Sequence, residues 1–143
     1  MNANAYVMPS NVKTILLAED DIDDQDFITE AFQKIDNTLT IYTVLNGTKV
    51  LPFLDSLTDA QLPQLILLDY NLPEQNGADV LEQLTKTSRY QAIPKIVWST
   101  SNWAQYRSRC LELGAAFYMV KPSDIKGIED LAKQMLDLCQ VTA

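Results

Sequence analysis

Side chains at four places in this sequence could act on a phosphoryl group or a metal ion. They are the carboxylates of Glu19, Asp20 and Asp21, the carboxylate of Asp69, the hydroxyls of Ser99 and Thr100, and the ammonium of Lys121. Each stands just past a short apolar run; Asp69, for example, follows Leu65-Ile66-Leu67-Leu68 and precedes Tyr70-Asn71-Leu72-Pro73. Carboxylates gathered in a partly buried site repel one another, and a bound cation is the natural remedy. Oxygen ligands without imidazole or thiolate favour Mg²⁺ over zinc. An aspartate beside such an ion, flanked by a hydroxyl and an ammonium, is equipped to accept a phosphoryl group: the cations offset charge on its oxygens and the hydroxyl orients one of them. Taken singly, each residue has an ordinary explanation. Acids before a helix complement its dipole, and Ser or Thr after a strand often only caps. Four such coincidences at four strand ends are harder to explain that way.

The composition narrows the choice of chemistry. With 143 residues and no histidine, the chain has no imidazole base, which removes Ser-His-Asp hydrolases and most zinc enzymes. The net charge of −8 argues against a nonspecific nucleic-acid binder, which needs a basic surface. Cys110 and Cys139 have no CxxC spacing and read as reduced thiols of a cytosolic protein. The N-terminus lacks a basic region followed by an apolar one, and no segment has the length of a membrane span, so no membrane association and a cytoplasmic location are expected. A chain of this size is one domain and buries roughly two thirds of its unfolded surface without staples.

These groups need a scaffold that brings strand ends together. Residues 1–11 read as a loose N-terminal tail and residues 12–143 as the domain. Four-residue apolar runs without alternation are strands covered on both faces, as in a parallel sheet. Strands are expected at 12–18, 39–45, at the run ending in Asp69, at 94–98 and at 115–120. Helical spacing of apolar residues places helices over about 23–36, 48–57 and 78–87, one after Asn102 that ends at Gly114, and a last one through Ile128 to Leu138. Asn102 and Gln105 are spaced as a capping pair, and Pro52 must fall in the first turn of its helix or kink it. Strict alternation of strand and helix implies an α/β fold, a three-layer α/β/α doubly wound parallel sheet of five strands, whose carboxyl ends form the reactive edge.

The chain resembles the receiver domain of bacterial two-component response regulators, the chemotaxis type included. The resemblance spans about Lys13 to Cys139 and rests on Leu17-Ala18-Glu19-Asp20-Asp21, Leu68-Asp69-Tyr70-Asn71-Leu72-Pro73, Gly77, Ser99 and Lys121-Pro122. It implies the flavodoxin-like strand order 2-1-3-4-5, which is a known property of that fold and not read from these residues. It implies Asp69 as phosphoacceptor and Mg²⁺ as cofactor. The ion would be held by Asp20 and Asp69 directly, by Glu19 through water and by the backbone carbonyl of Asn71. Ser99 matches the switch hydroxyl, Lys121 the phosphate-pairing lysine and Tyr118 the aromatic switch residue, whose ring would rotate inward once Ser99 is drawn to the phosphoryl group. A cis Lys121-Pro122 bond is a further expectation from the family. Thr100, in place of the usual Ala or Gly, Trp98 and the charged Lys95 depart from the family pattern.

The implied protein is a stand-alone phosphoacceptor, self-catalysing its phosphorylation and dephosphorylation but otherwise no enzyme. Its expected partners are a sensor histidine kinase or histidine phosphotransfer protein, a downstream protein contacted through conformational change, and no DNA. A homodimer through the face of the fourth helix, fifth strand and fifth helix is a further expectation. Two alternatives compete: a pseudo-receiver that binds partners without phosphorylation, and a Mg²⁺-dependent phosphatase with an aspartyl nucleophile. The latter requires an acidic proton donor two residues after Asp69, where Asn71 stands.

Overall fold

The computed structural model describes residues 12–142; the expected tail of residues 1–11 lies outside them. In chain order the elements are β1 (Thr14–Ala18), α1 (Ile22–Ile35), β2 (Thr40–Val44), α2 (Val50–Asp55), β3 (Leu65–Asp69), α3 (Gly77–Lys86), β4 (Lys95–Ser99), α4 (Ala104–Glu112), β5 (Phe117–Val120) and α5 (Ile125–Thr142). Every strand pairing is parallel, and the order is β2-β1-β3-β4-β5. This is the flavodoxin-like order. Because β1 and β3 are adjacent while their outward connections diverge, the crevice between them is where such sheets place their chemistry.

The uniform apolar runs are explained by covering on both sides. Alternate residues of each strand enter opposite layers: Ile15 and Leu17 of β1, Leu65 and Leu67 of β3, and Ile96 and Trp98 of β4 pack with Ile28, Phe32, Ile128 and Met135 of α1 and α5. Leu16, Ile66, Leu68 and Val97 face Val50, Leu54, Val80, Leu81 and Cys110 of α2, α3 and α4. Burying one such side chain stabilises the fold by about 1.5–3 kcal/mol. The parity has a functional consequence. Glu19, Asp69, Trp98 and Lys121 continue the α1/α5 side of their strands, while Ser99 and Tyr118 continue the other.

Some local expectations differ from the structure. The second helix is a 3₁₀ turn over Gly47–Lys49 followed by α2, with Pro52 in the first helical turn, where its missing N–H leaves no bond unmade. Asn102 does not cap α4: Trp103 occupies the cap position without a side-chain bond, and Ser101 Oγ accepts the Trp103 N–H at 3.2 Å. Gly114 does end that segment, at φ 105°, a left-handed conformation that costs glycine little. Lys121-Pro122 is trans, the isomer favoured for an X-Pro bond by about 0.5–1 kcal/mol. Lys95 is buried at the amino end of β4, opposite the reactive edge. Its ammonium donates to the carbonyls of Tyr90 at 2.6 Å and Gln91 at 3.1 Å, and burial lowers its pKa.

The loop that follows β3 is fixed by a close crossing. Gly47 N–H donates to the Pro73 carbonyl at 3.2 Å, and Thr48 Oγ1 donates to Glu74 Oε2 at 2.7 Å. A Cβ on Gly47 would sit 2.0 Å from the Gln75 carbonyl oxygen, so one backbone must move. Gly47→Ala is expected to cost about 2–4 kcal/mol and lower the melting temperature by about 5–12 °C; thermal unfolding of the variant checks this.

Candidate functional site

Glu19 begins where β1 ends. Its N–H still bonds the Val44 carbonyl of β2 at 3.0 Å, which locks the backbone while the side chain turns into the site. The carboxylate is fully buried; Oε2 accepts the Asp21 N–H at 3.2 Å. Asp21 is the N-cap of α1, accepting the Asp24 N–H, so the acidic run serves two ends. Its first members belong to the strand tip and its later members to the helix start. Asp20 between them is exposed.

Asp69 is the last residue of β3, beside Trp98 of β4 in the sheet register. Its side chain is almost wholly buried, and Oδ1 accepts the Asn71 N–H at 3.2 Å. Gly77 N–H donates to the Tyr70 carbonyl at 2.8 Å, closing the turn that carries Asn71. At Gly77 a Cβ would meet the Asp69 carbonyl oxygen at 3.0 Å, so the start of α3 is drawn tight against the strand tip.

Lys121 reaches back from the end of β5. Its ammonium lies 2.8 Å from Asp24 Oδ2, 2.9 Å from Glu19 Oε1 and 3.3 Å from Asp69 Oδ2, and 4.8 Å from the centre of the Trp98 ring. Burial alone would push the lysine pKa down. The hydrogen bond to Asp24 and the charges of Asp69 and Glu19 reverse that and hold it above the ordinary value. Glu19 shows the opposite balance. Burial first, then a hydrogen bond to Asp69 and its negative charge, raise the Glu19 pKa to about 8 against the pull of Lys121.

The carboxylates of Glu19, Asp20 and Asp69 bring one oxygen each within 4.8 Å of one another. Glu19 Oε1 is buried, and beyond its ion pair with Lys121 it has no hydrogen bond. Two buried carboxylates side by side, one of them with an oxygen partnered by the Lys121 ammonium, and an exposed third carboxylate suit a hard divalent cation such as Mg²⁺. Soft ligation is not offered there, since Cys110 and Cys139 are buried in the two helical layers and burial raises both thiol pKa values to about 11.

On the other side of the sheet Ser99 is buried, and its Oγ accepts the Ser101 N–H at 3.1 Å. Tyr118 donates its hydroxyl to the Ser101 carbonyl at 2.7 Å, and the residue is only 4% exposed. Arg107 lies 5.3 Å from that ring's centre and donates to the Tyr118 carbonyl. Tyr118 is thus already inward. The Ser101 carbonyl and Arg107 hold the ring in this setting. Thr100 is exposed and, with Asn71, Ser101, Asn102, Trp103 and Tyr106, lines an open cavity of about 430 Å³. Its bulk stands in the wall of that opening.

Glu19, Asp20, Asp69 and Lys121 are therefore brought together, with Ser99 at the adjoining strand end. Sequence reasoning missed Asp24. Its place in the first turn of α1 has an ordinary dipole explanation, and only the fold shows that Lys121 reaches it.

Comparison with known proteins bears on the family and the fold. Residues 15–133 match the response regulator receiver domain family. The two-component response regulator ARR8 of Arabidopsis thaliana is 30% identical over 91% of this chain, which spans 64% of that longer protein. The crystal structure of the phosphorylated cyanobacterial phytochrome response regulator RcpA is 28% identical, covers 92% of this chain and 96% of its own, and has a TM-score of 0.83. The Mn²⁺-bound form of response regulator Rcp1 is 25% identical over the same shares, with a TM-score of 0.79. Relatives from a plant show that the likeness extends beyond the bacterial systems to which the sequence pointed. On its fold and on a match covering most of its length, the chain belongs to the response regulator receiver domain family, the phosphoacceptor modules of two-component signalling.

Proposed function

We propose that the protein accepts a phosphoryl group on Asp69 from a sensor histidine kinase or histidine phosphotransfer protein, in the presence of Mg²⁺, and signals through altered protein contacts. The observation that carries the reading is the meeting of Glu19, Asp20 and Asp69 within 4.8 Å with the Lys121 ammonium over them. A solved relative described as phosphorylated and another described as Mn²⁺-bound support it.

Asp20, Asp69, Glu19 and the Asn71 backbone carbonyl are the groups that would hold the ion. When bound, Mg²⁺ supplies positive charge that offsets the phosphoryl oxygens. A carboxylate oxygen of Asp69 attacks phosphorus, the bond from phosphorus to the donor's imidazole nitrogen breaks, and an acyl phosphate forms. The Asn71 N–H on Oδ1 fixes the carboxylate plane for that attack. Lys121 provides a second positive charge, and Ser99 a hydroxyl for one phosphoryl oxygen.

Output follows from the hydrogen bonds already in place. When Ser99 turns its hydroxyl toward the phosphoryl group, the Ser101 N–H loses its acceptor, and the Ser101 carbonyl that holds Tyr118 shifts with it. The disturbance reaches α4 and β5, the face proposed for partner contact and for a homodimer; Val120, 37% exposed, is an apolar group such a contact would cover. The proposed setting is the cytoplasm; among the described residues, no helix is long and apolar enough to cross a membrane. Incubation with a phosphorylated histidine phosphotransfer protein tests the reading. Phosphoryl label is expected on the chain with Mg²⁺ and not with EDTA; transfer that ignores EDTA contradicts it.

A further inference from the structure

Lys121 has three carboxylate neighbours, and only one belongs to neither the phosphoacceptor nor the carboxylate cluster. That one, Asp24, is the nearest, at 2.8 Å, and its Oδ2 accepts a hydrogen bond from the ammonium. Asp69 is the farthest, at 3.3 Å. Asp24 stands at the third position of α1, where an acidic side chain can bond back to the N-cap N–H. Here that N–H goes to Glu19 Oε2 instead, and the Asp24 carboxylate is turned to Lys121. The helix start is capped without it, by Asp21 Oδ1 on the Asp24 N–H at 2.9 Å. Asp24 is also firmly seated, because the same N–H bond fixes its backbone and its side chain is only 29% exposed.

We propose that Asp24 is a positioning residue that holds the Lys121 ammonium toward α1, in competition with the phosphoryl group on Asp69. The inference rests on the phosphoacceptor reading above. A phosphoryl group adds about −1.5 to −2 of charge and must draw the ammonium from Asp24 to be paired. While Asp24 keeps its charge, part of the attraction of Lys121 for the phosphoryl oxygens is lost, and the negative charge of Asp24 itself opposes the incoming anion. Asp24 therefore lowers the stability of the phosphorylated state and sets how readily the module is occupied.

Trp98, 4.8 Å from the ammonium, reports on the exchange. Trp103 is the other tryptophan and is exposed, so a Trp103→Phe background leaves Trp98 emission alone. In that background beryllofluoride, a phosphoryl mimic, is titrated with Mg²⁺ present into the full chain carrying Asp24, Asp24→Asn or Asp24→Glu. Asp24→Asn is expected to bind the mimic about tenfold more tightly and to alter Trp98 emission before any mimic is added. Asp24→Glu, which keeps the charge, is expected to stay within about twofold of Asp24. A purely structural residue would give no gain in affinity when neutralised. Equal or weaker binding by Asp24→Asn overturns the inference alone, whereas failure of the Asp24 protein to bind the mimic at all overturns the phosphoacceptor reading beneath it.

Discussion

Asp69→Asn is expected to take up no phosphoryl group from acetyl phosphate and Mg²⁺ under conditions that label the unaltered protein, a loss of at least about a hundredfold. Asparagine keeps the shape of the side chain and can still accept the Asn71 N–H that Oδ1 accepts. What it removes is the nucleophilic carboxylate. The fold should survive, because Asp69 lies at the strand tip, past the apolar run Leu65 to Leu68. Lys121 retains Asp24 and Glu19 as partners, and one of three clustered carboxyl groups is gone. Thermal unfolding within a few degrees of the unaltered protein, together with absent labelling, would separate lost chemistry from lost structure. Labelling at the normal level would place the acceptor elsewhere.

Affinity for Mg²⁺ is expected to climb steeply with pH below about 8. Burial and the neighbouring Asp69 raise the Glu19 pKa from 4.5 to about 8, so between those values the metal-free folded protein holds a proton that the unfolded chain releases. With the folded pKa raised, the Glu19 contribution to metal-free stability is fully present below about 4.5 and is lost as pH rises toward 8, where Glu19 must be buried as an anion. A cation at the site displaces that proton, and the affinity gain approaches about tenfold per pH unit for one proton released. The rise in melting temperature produced by Mg²⁺ should therefore be small at pH 5.5 and large at pH 8. Calorimetry across that range checks it, and a shift that shrinks with rising pH would contradict the electrostatics described for Glu19.

The residues of this site were legible because each follows an uninterrupted apolar run. A run such as Leu65 to Leu68 can only be a strand covered on both faces, and parallel connection then carries the strand ends to one edge. The same logic yields the layers and the five-stranded α/β architecture. The strand order required the resemblance, since nothing in the local pattern of Thr40 to Val44 says whether it lies beside β1 or β3. Details decided by tertiary contact were less visible. Asn102 has the composition of a cap, yet Ser101 accepts the Trp103 N–H because it sits on the turn leaving Ser99. Tyr118 reads as a strand residue, and its inward setting depends on a carbonyl 17 residues earlier in the chain. Lys95, a charge inside an apolar strand, is accommodated by the carbonyls of Tyr90 and Gln91 at the end of a 3₁₀ turn over Ser88–Tyr90. Asp24 is the clearest case, because its partner lies 97 residues away and its own position already had a sufficient local explanation.

The most direct test of the central claim is the chemical identity of the modified residue. An aspartyl phosphate is reduced by borohydride to homoserine, which marks the acceptor permanently for peptide mapping by mass spectrometry. After incubation with acetyl phosphate and Mg²⁺, homoserine is predicted at position 69 and at no aspartate of the acidic run that begins at Glu19. Conversion at Asp20 or Asp24 with position 69 intact, or no conversion at all, would contradict the account.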